Sequence, residues 1–198
     1  MMLHVKSPIP AGSDPAKVEL DGGWAVPWTD VGLDPAITGD DNYWYAAFTQ
    51  GGFLYVMRDG SVYGPNVRWQ NPPSNPEIVL YQAEPLVAWT ENSGNALCLA
   101  MQDGSHWTMV GTALAPTGYF HDVRIAVSGT DLYVAYVHQK TPPSVGVERW
   151  DGANWSVMPG QIEDGTGSIS TLDIAVHGGQ PVVCFVEGTE CKVKKYRP

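Results

Sequence analysis

Long apolar runs, basic charge and cysteine are all scarce in this chain, and each scarcity narrows what it can be. No stretch reaches the ~18 consecutive apolar residues that a membrane-spanning helix needs. Lys and Arg number 11 against 21 Asp and Glu, for a net charge of −10. That argues against a nucleic-acid partner, because neutralising phosphates takes a Lys/Arg surface. The one basic cluster, KVKKYR at 192–197, reads as an outer strand beside acidic neighbours. The opening MMLHVKSPIPAGSDPAK has no apolar core of signal-peptide length. The expected location is therefore the cytoplasm, or a particle such as a virion, rather than the classical export route. The three cysteines, Cys98, Cys184 and Cys191, sit in strand-like text and read as buried free thiols. Cys184 and Cys191 flank the turn EGTE, and whether they face each other depends on the register.

Gly and Pro are abundant, at 22 and 16, as are Trp and Tyr, at 8 and 9. Such text favours many short strands joined by tight turns and leaves little room for long helices. The 198 residues suffice for one substantial domain. One hairpin text recurs: MRDGSVY at 57–63, MQDGSHW at 101–107 and RWDGANW at 149–155, each with an aromatic four residues after the Asp. Asp and Gly tolerate the positive φ of a type I′ turn, so each copy predicts a hairpin. A second feature precedes each hairpin. Ile37 and Phe48, Ile78 and Trp89, Ile125 and Tyr136, and Ile174 and Phe185 are all 11 residues apart. Successive Ile residues are 41, 47 and 49 apart, the period of four-stranded propeller blades.

The predicted fold is thus all-β: a four-bladed β-propeller with four antiparallel strands per blade. The blades fall at about 34–67, 75–110, 122–158 and 171–197. The last unit ends where its Asp-Gly is due, and VELDGGWAVP at 18–27 carries the missing turn and aromatic. Residues 23–27 are therefore expected to supply the outer strand of the last blade and so cover its free edge. The alternative is an open half-ring that completes a larger propeller as a homo-oligomer.

The repeat resembles the Trp-Asp-Gly-x-x-Trp blades of bacterial β-propeller proteins and, more loosely, those of propeller lectins. Closure of four blades is similar to the hemopexin type, although the disulfide usual in that family has no N-terminal cysteine here. The hairpin also resembles the sialidase Asp-box, which implies an intervening residue between Asp and Gly and a cluster of arginines. Neither is present: only Arg124 falls on an inner strand. A propeller hosts many unrelated activities, so the resemblance bears on fold.

Aligning the units on their Ile residues turns positions into rings. Three residues earlier come Asp34, Asn75, Asp122 and Thr171, oxygen ligands suited to a hard cation such as Ca²⁺ or simply to strand-entry turns. One residue earlier come Ala36, Glu77, Arg124 and Asp173, an arginine between two carboxylates, read as an ion-paired channel ring. The five histidines share no metal spacing, and no nucleophile elbow, P-loop or dinucleotide motif occurs. The expectation is a non-enzymatic module with no required cofactor. Trp28, Trp69, Tyr119 and Phe120 lie in or beside the connections between units, and Trp44 follows an acidic loop. They suit a protein partner, with the chain acting as an interaction or assembly component. The alternative is a propeller lectin that stacks sugars on these rings.

Overall fold

The computed structural model describes residues 17–20, 24–27, 33–67, 72–91, 96–104, 106–110, 119–159, 162 and 167–197. It divides into two compact units, Met1–Gly32 and Leu33–Pro198. The first holds an antiparallel pair, β1 (Lys17–Leu20) and β2 (Trp24–Pro27), in register from Lys17↔Pro27 to Leu20↔Trp24. Strand β2 falls within the segment expected as the outer strand of the last blade, and its described partner is β1.

The second unit holds four antiparallel sheets. The first comprises β3 (Leu33–Gly39), β4 (Trp44–Gln50), β5 (Phe53–Arg58) and β6 (Ser61–Val67). The second comprises β7 (Pro73–Tyr81), β8 (Glu84–Glu91), β9 (Ala96–Asp103) and β10 (His106–Met109). The third runs β11 (Phe120–Ser128), β12 (Asp131–His138), β13 (Ser144–Trp150) and β14 (Trp155–Val157). The fourth runs β15 (Ile169–His177), β16 (Gln180–Glu187) and β17 (Glu190–Lys195). Each sheet is ordered as in the chain, and the inner strands pack in the sequence β3, β7, β11, β15. These are propeller blades. Among the described residues no helix is long and apolar enough to cross a membrane.

Burial shows why the middle blades carry near-continuous apolar text. Strand β8 is buried from Pro85 to Glu91, with Val87 and Trp89 packed toward the first blade and Leu86 and Ala88 toward the third. Strand β12 is buried from Leu132 to Val137 for the same reason. Strand β16 instead alternates, because only Val183 and Phe185 of its core face the third blade. The recurring aromatics Phe48, Trp89, Tyr136 and Phe185 are all buried, as expected of blade packing. Three of the four recurring isoleucines follow suit, whereas Ile37 is 45% exposed.

The repeated hairpin text does not give one turn. Asp59 and Gly60 have φ +49° and +81° and join Arg58 directly to Ser61, as the type I′ reading requires. In the second copy Asp103 is itself paired with His106, which shifts the loop by one residue. In the third, Trp150 pairs with Trp155 around a longer loop. There Asp151 Oδ1 accepts from the amides of Ala153 and Asn154 at 2.9 and 2.8 Å. In the first copy the aspartate bonds across the sheet instead, Asp59 Oδ1 accepting from the Trp44 amide at 3.1 Å.

Gly146 in β13 lies opposite Tyr136, and a Cβ at that position would sit 2.5 Å from two ring carbons. The ring cannot yield, because Tyr136 is 6% exposed and its hydroxyl donates to Glu148 Oε1 at 3.0 Å. Gly146→Ala is therefore expected to destabilise the protein by about 1–3 kcal/mol. Chemical denaturation checks this, and an unchanged midpoint would refute the close-approach account.

Candidate functional site

The inner strands enter the sheets through one shared distortion. Pairing slips by one residue between Leu33 and Ala36, between Ser74 and Glu77, and between His121 and Arg124. The extra residue at these β-bulges takes a left-handed backbone at Asp34 (φ +51°), Asn75 (φ +50°) and Asp122 (φ +50°). Asn and Asp are the non-glycine residues that adopt this conformation most readily. The fourth blade slips between Ile169 and Thr171, and Thr171, which is β-branched, stays out of the left-handed region. Backbone geometry thus accounts for the Asp/Asn/Asp ring. Among the described residues no three His, Cys, Asp or Glu side chains converge as metal ligands.

Next to these bulges lies a cleft of about 560 Å³. Its walls are Ser74, Asn75, Thr90, Tyr119, Phe120, His121, Gln139, Ile169 and Ser170. They come from the starts of β7, β11 and β15 and the ends of β8 and β12, so three blades meet there. No wall residue carries a permanent charge, and most offer hydroxyl or carboxamide groups. Ser74 Oγ and Thr90 Oγ1 share a hydrogen bond of 2.9 Å, which fixes one wall. Tyr119 is 48% exposed, and its carbonyl accepts from the Gln139 amide at 2.7 Å.

Beyond the bulges, two residues on from Asn75 and Asp122, stand Glu77 and Arg124. Arg124 Nη1 lies 3.9 Å from Glu77 Oε2 and donates to the Val123 carbonyl at 2.8 Å. The Glu77 side chain is 27% exposed. Burial pushes its carboxyl up to about 7, the Asp173 charge adds to the rise, and Arg124 opposes it. The expected ion-paired ring therefore contains one close pair, Glu77–Arg124, with Asp173 acting on it through its field.

The aromatic candidates separate. Tyr119 belongs to the cleft. Phe120, the first residue of β11 and also a wall of the cleft, is 2% exposed and packs edge-on against Tyr136 at 5.3 Å. Trp44 is half-buried at the start of β4, where its amide and carbonyl bond Asp59 Oδ1 and the Asp59 amide, each at 3.1 Å. Trp28 and Trp69 lie outside the described residues. Ser74, Thr90, His121, Gln139 and Ser170 are cleft members that sequence reasoning missed. Their one shared signal is position, at the ends of strands that flank the Ile and aromatic landmarks.

No protein-family model matches the sequence, and no curated sequence is similar to it. Solved structures do match. An α-L-arabinanase from Penicillium chrysogenum, complexed with arabinobiose, superposes with a TM-score of 0.56 at 13% identity over 83% of this chain. An exo-β-1,3-galactanase from Phanerochaete chrysosporium, with β-1,3-galactotriose, gives 0.57 at 11% identity over 92%. The Swd1 β-propeller domain of Myceliophteria thermophila gives 0.55 at 11% identity over 82%. This chain spans 62%, 50% and 53% of those three chains. At such identity the likeness establishes the β-propeller fold. It also corrects the expectation of a non-enzymatic, protein-binding assembly module. Two of these three structures are glycan-cleaving enzymes, so the architecture gives no ground for excluding catalysis. The fold of this chain is that of a β-propeller, similar to those on which glycan-cleaving enzymes are built.

Proposed function

We propose that this chain is a carbohydrate-directed propeller that holds a neutral glycan in the cleft beside the bulges and cleaves it with Glu77, two residues beyond the cleft's Asn75, as proton donor. The observation that carries the reading is the cleft: an exposed ring, Tyr119, set among uncharged hydrogen-bonding side chains from three blades. A sugar presents apolar C–H faces to an aromatic ring and hydroxyls to hydroxyl and carboxamide groups. The arabinobiose and β-1,3-galactotriose complexes of the matching enzymes support a glycan rather than a protein partner.

Hydrolysis of a glycosidic bond needs a proton for the departing oxygen and a carboxylate on the opposite side of the sugar. A carboxyl held at about 7 is half protonated at neutral pH and so can give that proton. Asp173 is exposed and offers the second carboxylate, to activate water or to stabilise developing positive charge. Arg124 stabilises the Glu77 carboxylate once the proton has left. The oxygen of the attacking water ends on the anomeric carbon, and its second proton goes to the base.

The test is reducing-end release from arabinan, galactan and xylan by the wild type and Glu77→Gln. Release by the wild type, lowered at least ~100-fold in the variant, is the expected result. No release from any neutral polysaccharide, with binding retained, would remove the catalytic half of the proposal. Loss of both would remove all of it.

A further inference from the structure

Cys184 in β16 and Cys191 in β17 flank the turn at Gly188, whose φ is +59°. Cys184 pairs with Val193 and Val186 with Cys191, so the two thiols leave one face of the sheet, staggered by two residues. That face is turned away from the third blade. Val183 and Phe185, on the opposite face, are buried at 2% and 1%, whereas Cys191 is exposed and Val193 is 65% exposed. The two Sγ atoms are 3.4 Å apart.

We propose that Cys184 and Cys191 form a reversible dithiol site that closes to a disulfide by exchange with a small disulfide such as oxidised glutathione. Cys191, the more exposed thiol, attacks first as its thiolate. One glutathione sulfur joins Cys191 and the other leaves as glutathione thiolate. Cys184 then loses its proton and attacks the Cys191 sulfur, which expels the second glutathione. Two thiols are oxidised, one disulfide is reduced, and two glutathione thiols form. Contact with Cys191 raises the Cys184 thiol above its ordinary range, which leaves the exposed partner as the entry point. The stagger makes the bridge labile: diagonal neighbours in a ladder stand farther apart than the Cβ spacing a relaxed disulfide takes. The edge strand β17 must therefore shift to close it, and strained disulfides are the readily reduced ones. Cys98 takes no part. It is 7% exposed between the first and second blades, and burial pushes its thiol up to about 12.

Thiol titration and intact mass under denaturing conditions, after incubation with oxidised glutathione, test the site. The wild type should lose two of its three thiols and become about 2 Da lighter, and dithiothreitol should restore both. Cys98→Ser should still lose two, and Cys184→Ser should hold glutathione on Cys191. Persistence of all three wild-type thiols would overturn the proposal. So would a lasting wild-type glutathione adduct, or a disulfide between two chains on a non-reducing gel.

Discussion

Trp89→Ala should lower the stability of this protein by about 3–5 kcal/mol, the range for truncating a fully buried large aromatic. Trp89 is 0% exposed and sits in the seam between the first and second blades, against Tyr45, Ala47 and Val56 on one side. Its indole donates to Glu91 Oε1 at 3.0 Å. Glu91 is itself 8% exposed, and burial already raises its carboxyl above the ordinary range. The substitution removes a large packed volume and also withdraws a donor from a carboxylate with little access to water. For a chain of this size the loss corresponds to a fall in Tm on the order of 10 °C. Trp89→Phe separates the two contributions, because it keeps much of the volume and loses only the donor. Thermal unfolding followed by circular dichroism is the measurement. A shift below ~3 °C for the alanine variant would mean that the seam is not load-sharing as described.

On the proposed reading Glu77→Gln should abolish most glycan cleavage and, independently of that reading, it should flatten the dependence of stability on pH. The sign follows from proton uptake. The folded carboxyl titrates near 7 against an ordinary 4.5, so the folded state binds more protons between those values. Stability attributable to Glu77 therefore falls as pH rises from 4.5 through 7. Above that window the full penalty of an ionised, largely buried carboxylate is in place, on the order of 3 kcal/mol. The amide cannot ionise, so the variant should gain on the wild type between pH 5 and pH 8. Glu91 and Glu148 also have carboxyls raised by burial and contribute to the wild-type slope. The difference between the two proteins isolates Glu77. Urea midpoints at the two pH values decide it, and parallel profiles would show that Glu77 is not held protonated.

Much of the fold was legible because it is encoded locally and repeatedly. An Ile followed 11 residues later by an aromatic marks an inner strand and its neighbour in every blade, and the Asp-Gly pairs at 59–60, 103–104 and 151–152 mark hairpins. The Glu77–Arg124 pair was legible for the same reason, since both residues stand one before the Ile of adjacent units. The cleft was not. Its walls come from strand ends, and which of them face inward is decided by the bulges at Asn75 and Asp122. A single inserted residue reverses side-chain parity, and no periodic pattern reports it. The Asp/Asn ring was ambiguous because the residues suited to a cation are also those suited to a left-handed bulge. Tyr119 and Phe120 are chemically alike in sequence and both line the cleft, but Tyr119 stands just before β11 and is exposed whereas Phe120 opens the strand and is buried. The expectation of a non-enzymatic module rested on the lack of a contiguous motif, which on a propeller is no ground for excluding catalysis.

The most direct test of the central claim is a calorimetric titration with neutral arabino-, galacto- and xylo-oligosaccharides, on the wild type and on Tyr119→Ala. A glycan held on the Tyr119 ring predicts saturable binding of at least one series. It also predicts a weakening of about tenfold or more in the variant, near 1.4 kcal/mol, with an unchanged Tm. No saturable binding of any neutral series, or binding indifferent to Tyr119, would contradict it.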